Sequence, residues 1–314
     1  MNTISETLKK FKSLTIEHPQ FKHAVDAIMD SIESTAEMDD SGSAMLLGQA
    51  GTGKSRVCHR LQELLGAARD EEREGGLVHI IPCLYCPVPG NATTHKLSLT
   101  MLYKLGFRSN IRDNGILLYS VVTLLKTCET KLVIIDEFQQ LAEKGADKTK
   151  SIMCDWVKTL LNETGTAYLL AGTPAFEEIV DDNAQLSQRY PHRVRLNNFS
   201  YGCTDFGPES EWPKILGKFT TEMINLGELT RYVFLSDSYF ALATYVFTRG
   251  NMRGLRLLLH AAFRRCLIRG DHKLTREDFI RAADDVVFNN RIRPDINPFS
   301  VTAADLDKIM KKLS

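Results

Sequence analysis

The eight residues Gly-Gln-Ala-Gly-Thr-Gly-Lys-Ser at 48–55 carry the most specific chemistry in the sequence. They fit the pattern G-x-x-x-x-G-K-[S/T], with a short apolar segment (44–47) before them and an apolar periodicity of helical type after them. Gly48, Gly51 and Gly53, with Thr52 between the last two, allow a tight turn whose successive N–H groups face phosphate oxygens. Lys54 is placed to reach the β- and γ-phosphates and the Ser55 hydroxyl to ligate Mg2+, while the helix that starts there adds its positive dipole end. A bound nucleoside triphosphate follows from this stretch; what is done with it does not.

The segment Val-Ile-Ile-Asp-Glu-Phe-Gln at 133–139 narrows the choice. An aspartate at the end of an apolar strand, Asp136, suits a magnesium holder, and Glu137 beside it suits a general base for an attacking water. No guanine-reading N/TKxD pattern stands at a strand end, so ATP is the favoured nucleotide. Thr173, in Ala-Gly-Thr-Pro at the end of another apolar strand, is placed to bond the water or the γ-phosphate, although Gly-Thr-Pro also simply ends strands. Arg189, with Arg193 behind it and Arg195 nearby, offers a guanidinium for a neighbouring subunit's γ-phosphate; the bland reading is a basic surface turn. Arg253, on the first turn of a helix after a glycine turn, is expected to reach back over the nucleotide, unless it and Arg256 lie on a wet helix face.

These groups need a rigid frame. Apolar segments at 44–47, 77–81, 131–137, 167–173 and 194–196 alternate with amphipathic helices at 20–34, 97–105 and 116–127 and with the helix after the glycine loop, whose stripe is Val57, Leu61, Leu64, Leu65 and Ala68. That alternation predicts an α/β fold with a parallel five-stranded sheet. The run Arg-Asp-Glu-Glu-Arg-Glu-Gly-Gly at 69–76 reads as a solvated helix end and turn, and 77–81 as a strand inserted between glycine loop and carboxylates. Beyond 200 the pattern is helical only (212–226, 237–248, 252–268, 275–284), a small all-α domain followed by a tail with a short helix. The expected segments are 1–40, 41–200, 201–286 and 287–314.

With 39 basic and 39 acidic residues the chain has no net charge, so contact with nucleic acid would rest on local patches. No apolar run approaches the roughly 20 residues of a membrane span, and the basic N-terminus lacks the apolar stretch of a signal peptide. Seven cysteines without regular spacing indicate a reducing compartment. Cys83 and Cys86 form a CxxC, but with no second ligand pair near they read as packed thiols at a strand end rather than a zinc site.

Taken together, GQAGTGKS, VIIDEFQ, LLAGTP, QLSQRY and GNMRGLRLLL resemble the AAA+ ATPases, and HPQFKHAVDAI, IDEFQQL, GTPAFEEIV and INPF are similar to the TniB/TnsC transposition regulators. Those are relatives of phage MuB and, more distantly, of the Orc/Cdc6 initiators; the group includes members of CRISPR-associated transposons. The resemblance spans about 15–300. It implies an AAA+ core with an all-α lid, using ATP and Mg2+, in a bacterial cytoplasmic, nucleoid-associated protein. It further implies self-assembly as a hexameric ring or helical filament on duplex DNA, recruitment of a transposase, and in some members a TniQ-type partner. Lys96 and Lys104, flanking a helix, and Lys144, Lys148 and Lys150, in the loop after the acidic pair, are the candidates for phosphate contact without base readout. A scaffold NTPase that never touches DNA, or an initiator or clamp loader, are the alternatives; the last usually brings a winged-helix module, for which the tail is too short.

Overall fold

The computed structural model describes residues 2–38, 42–88, 93–142, 147–200, 211–289 and 291–312. Its strands are β1 (Ala44–Gly48), β2 (Arg69–Arg73), β3 (Gly76–Ile80), β4 (Cys83–Pro87), β5 (Leu132–Asp136), β6 (Ala167–Gly172) and β7 (His192–Leu196). Five of them form one parallel sheet in the order β4-β5-β6-β1-β7. Because side chains alternate along a strand, Met45, Leu47, Val133, Ile135, Tyr168 and Leu170 pack on one side beneath the helices Thr94–Lys104, Asn114–Thr127 and Asp147–Thr164. Leu46, Leu132, Ile134 and Leu169 pack on the other, beneath Pro19–Met38 and Lys54–Leu65. A sheet covered on both faces explains why β1 and β6 are apolar throughout and β5 up to its last residue.

The order separates β1, which carries the glycine loop, from β5, which ends in Asp136, by one strand, β6. The inserted strand is therefore β6 in space. The segment 77–81 instead supplies β3, which pairs with β2 in an antiparallel hairpin of its own, Arg73 opposite Gly76. The charged run 69–76 is thus a hairpin and not a helix end. Its charged strand buries little: β2 is exposed or half-buried throughout, Leu77 is 72% exposed although Ile80 at the hairpin's end is buried, and Arg69, Glu71 and Arg73 pair among themselves, with Arg73 also bound to Glu129. The strand that joins the sheet is β4. Cys83 and Cys86, three positions apart on it, fall on opposite faces, in different hydrophobic clusters. They cannot share a metal, and burial pushes their thiols up to about 12 and about 11. The helix after the glycine loop stops at Leu65, so Ala68 lies outside it and Leu64 is 46% exposed.

The chain divides into two compact units, cut differently from the expected segments: Pro19–Leu196 is one, and Met1–His18 with Asn197–Ser314 the other. The helices Asn2–Ser13 and Pro19–Met38 thus fall in different units. In the second unit the helix Asn2–Ser13 packs on Glu211–Gly227 and Met252–Arg269. Phe11 is 1% exposed there, its ring 5.4 Å from that of Phe263 and 6.0 Å from that of Phe219. Arg256 is not on a wet face: it donates to the carbonyls of Leu14 (2.8 Å) and Lys12 (2.5 Å), closing the C-terminus of that helix. The tail is no loose end either. Phe299 is fully buried against Phe240 and Phe279, and Arg276 donates to its carbonyl at 2.7 Å. Among the described residues no helix is long and apolar enough to cross a membrane.

The segment 197–199, which follows β7, is fastened within the helical unit. Phe199 N–H donates to Gly250 O at 3.0 Å, and Asn251 Nδ2 to Asn198 Oδ1 at 3.0 Å. Gly250 has φ +70, and a Cβ there would collide with the Phe199 carbonyl, so only glycine fits. His18, at the other crossing between units, sets its ring edge-on to Phe199 at 4.8 Å. Burial, then the charge of Lys218, lowers its pKa to about 4 from an ordinary 6.5. The unfolded chain takes up that proton near 6.5 and the folded chain only near 4. Stability is thus complete above pH 6.5 and falls as pH drops toward 4, by roughly 3 kcal/mol at most. Urea midpoints measured from pH 7.5 to 4.5 should show this decline, and His18→Gln should remove that part of it.

Candidate nucleotide site

The glycine loop links β1 to the helix Lys54–Leu65. Gly51 and Gly53 have φ +84 and +109, backbone conformations that suit glycine. Gly48 serves close approach instead, since a Cβ would lie 2.6 Å from Leu196 O and 2.7 Å from Thr52 Oγ1. The helices that begin after Thr93, Asp113, Asn183 and Asn251 each have a side chain capping an N-terminal N–H. The helix after the loop has Gly53 at that place and no side-chain cap, which leaves its positive end for an anion. Lys54 is 7% exposed and donates to Gly48 O at 2.6 Å and Gln49 O at 3.2 Å. Burial lowers its pKa, while the charges of Glu137 and then Asp136 oppose that shift.

Asp136, only 2% exposed, is held from several sides. Its Oδ1 accepts from the Glu137 N–H at 2.9 Å, and its Oδ2 accepts from Tyr85 Oη at 2.6 Å and lies 3.5 Å from Ser55 Oγ. Tyr85 is the residue that sequence reasoning missed. Its signal is the register: Tyr85 stands opposite Ile134 on the neighbouring strand, on the face that Asp136 shares. Burial and the bond to Asp136 raise the phenol's pKa, so it stays a donor. Ser55 and Asp136 together supply two hard oxygens, a set that suits Mg2+ completed by phosphate and water. Among the described residues no group of three His, Cys, Asp or Glu could hold a metal by itself.

Glu137 has φ +58, a left-handed conformation unusual for a glutamate. Its carboxylate accepts from Gln139 Nε2 at 2.5 Å, and Gln139 Oε1 accepts from the Thr173 N–H at 3.1 Å. Lys54, Ser55, Asp136, Glu137 and Thr173 thus meet at the ends of β1, β5 and β6.

The other expected residues lie on other elements. Arg189 is half-buried at the end of the short helix Ala184–Gln188, and its carbonyl accepts from Ser43 N–H at 3.0 Å. Arg193 and Arg195 are engaged within their own chain, Arg193 with Asp181 at 2.5 Å and Arg195 with Glu177 at 2.7 Å. Arg253 is exposed on the first turn of Met252–Arg269, in the helical unit. Lys96 and Lys104 are exposed at the two ends of Thr94–Lys104. Lys150 is not in a loop but on the helix Asp147–Thr164, half-buried. That helix is tied to Thr94–Lys104 by Trp156 Nε1 donating to Ser98 Oγ at 3.1 Å. Lys144 and the side chain of Lys148 lie outside the described residues.

A family model described as "Bacterial TniB protein" matches residues 11–201. Among solved structures, the chain is similar to the ORC1 protein of Aeropyrum pernix in complex with DNA, with TM-score 0.60 at 16% identity. That match covers 86% of this chain and 66% of that one, just under two thirds of its length. The ORC2 protein of the same organism, in ADPNP and ADP complexes, gives TM-score 0.61 at 15% identity, covering 88% and 71%. The RuvB Holliday junction branch migration motor of Thermotoga maritima gives 0.53 at 11% identity, covering 95% and 76%. At these identities the likeness is one of fold. No curated protein sequence matches the chain.

The Tyr85 contact has a direct check. Tyr85→Phe removes the donor to a buried carboxylate and should lower unfolding stability by about 1.5–3 kcal/mol in urea. A loss under half a kcal/mol would mean that the phenol hydroxyl does not hold Asp136.

Proposed function

The chain belongs to the bacterial TniB family, and on that premise we propose that it is an ATP-hydrolysing switch that binds duplex DNA without sequence preference and regulates transposition. Its α/β unit has the five-stranded parallel sheet of AAA+ proteins, followed by a C-terminal helical region. The observation that carries the proposal is the meeting of Lys54, Ser55, Asp136, Glu137 and Thr173 at adjoining strand ends.

In this reading Gly48, Gly51, Thr52 and Gly53 cradle the phosphates. Lys54 exchanges its bonds to two loop carbonyls for a stronger, charge-assisted bond to phosphate. Ser55 and Asp136 hold Mg2+, which neutralises phosphate charge when bound. Glu137 takes the proton of a water attacking the γ-phosphorus, and the leaving group is ADP. Thr173 bonds the water or the γ-phosphate. Arg189 acts on the nucleotide of a neighbouring subunit in a ring or filament. Arg253 reports nucleotide occupancy to the helical lid. Lys96, Lys104, Lys148 and Lys150 contact DNA phosphates, and repetition along an assembly makes a few contacts per subunit sufficient. The assembly recruits a transposase, in concert with a TniQ-type partner, and hydrolysis resets it.

Retention of duplex DNA on a filter at low salt should require ATP and fail with ADP; DNA-independent assembly with ATP would favour the scaffold reading instead. Lys54→Ala should abolish nucleotide binding, and Glu137→Gln should bind ATP and trap the DNA-bound assembly, seen as slowed dissociation. Arg189→Ala subunits should lose hydrolysis alone yet regain part of it when mixed with Glu137→Gln subunits, because each lacks a different half of the shared site.

A further inference from the structure

Glu137 and Thr173 are 36 positions apart and on different strands' ends, yet one side chain touches both. Gln139 is 6% exposed. The Thr173 N–H can only donate, so the oxygen of the Gln139 amide must face it, and the NH2 group must then face Glu137, whose carboxylate can only accept. The orientation of the amide is fixed by chemistry. Neither a glutamate, lacking the donor, nor a methionine, lacking both, can make the two bonds. The space is equally specific: a Cβ on Gly172 would collide with Gln139 Oε1. The backbone is fastened alongside, Phe138 N–H donating to Ala171 O at 2.9 Å, with the Phe138 ring 5.3 Å from that of Phe176.

We propose that Gln139 is a positioning residue for hydrolysis, whose amide fixes the direction of the Glu137 carboxylate by tying it to the backbone of Thr173. One carboxylate oxygen is held by the amide, and the other is left to receive the proton of the attacking water. The left-handed backbone at Glu137 aims the side chain from an uncommon starting direction, so the amide bond, rather than rotamer preference, sets where the carboxylate stands. Any shift of Thr173 moves the base with it. This inference rests on the ATPase reading and on Glu137 as the base.

Steady-state ATP hydrolysis and nucleotide affinity of four variants test it. Gln139→Met keeps length and bulk but loses both bonds; kcat should fall about 10- to 100-fold, with KM and nucleotide affinity within about twofold of the parent, since neither bond is to the nucleotide. Gly172→Ala, with Gln139 intact, should show the same kcat loss by displacing the amide. The double variant Gln139→Met/Gly172→Ala should be no worse than either single, because both break one link. A nucleotide-free reading comes from stability: Gly172→Ala should cost less in a Gln139→Ala background, where the colliding oxygen is gone. If Gly172→Ala does not fold, Gln139→Met decides alone. Unchanged kcat in Gln139→Met, with hydrolysis abolished in Glu137→Gln, overturns the inference and leaves the ATPase reading standing. Multiplicative losses in the double variant also overturn it. Unchanged hydrolysis in Glu137→Gln removes Glu137 as the base and this inference with it, whereas a parent protein that does not hydrolyse ATP overturns the ATPase reading.

Discussion

A carboxylate that is 2% exposed must find its partners inside the protein, and the placement of Asp136 organises everything near it. The parallel register makes this come out. Alternation along β5 puts Leu132, Ile134 and Asp136 on one face, toward the helix that the glycine loop begins. The same alternation on β4, with Tyr85 opposite Ile134, brings a phenol to that carboxylate. A one-residue slip of β4 would send Tyr85 to the opposite face and bury an under-satisfied charge. The hydrophobic layers and the polar site are therefore consequences of one registration.

What could be read in the sequence follows from this. Strands buried on both faces announce themselves as unbroken apolar runs, and β1, β5 and β6 were legible with near-final boundaries. The glycine loop was legible because its φ requirements select glycine at fixed offsets. Of the hairpin β2–β3, β3 was legible as the segment 77–81, but β2 was not, because hydrophobic periodicity is a record of burial and its charged residues bury little. β4, at the sheet edge, mixes cysteine, tyrosine and proline and gives a weak signal. Its role in the site depends on which residue of β5 it faces, which no local pattern encodes. The helix Asp147–Thr164 starts with the charged and polar run Asp-Lys-Thr-Lys-Ser, which reads as a loop, although Met153, Trp156, Val157, Leu160 and Leu161 carry its buried stripe. Long-range ties such as Arg256 to the carbonyls near residue 12, or Gln139 to Thr173, are visible only once the chain is folded.

The two kinds of glycine here do different work. Gly53 is fixed by backbone conformation alone, whereas Gly48 and Gly172 are fixed by what stands where a side chain would be, and Gly250 by both. In the second kind the excluded volume belongs to a functional neighbour, Thr52 in the loop and Gln139 beside the base. Such glycines are contacts in their own right.

The helix Asn2–Ser13 buries Phe11 against side chains some two hundred positions later in the chain. During synthesis at about 5–20 residues per second, that helix leaves the ribosome many seconds before Phe219 and Phe263 exist to receive it. The α/β unit, contiguous in sequence from Pro19 to Leu196, can close on its own in the meantime. This helix is therefore made well before the surfaces that receive it, and through that interval its apolar stripe is exposed to whatever else the nascent chain meets.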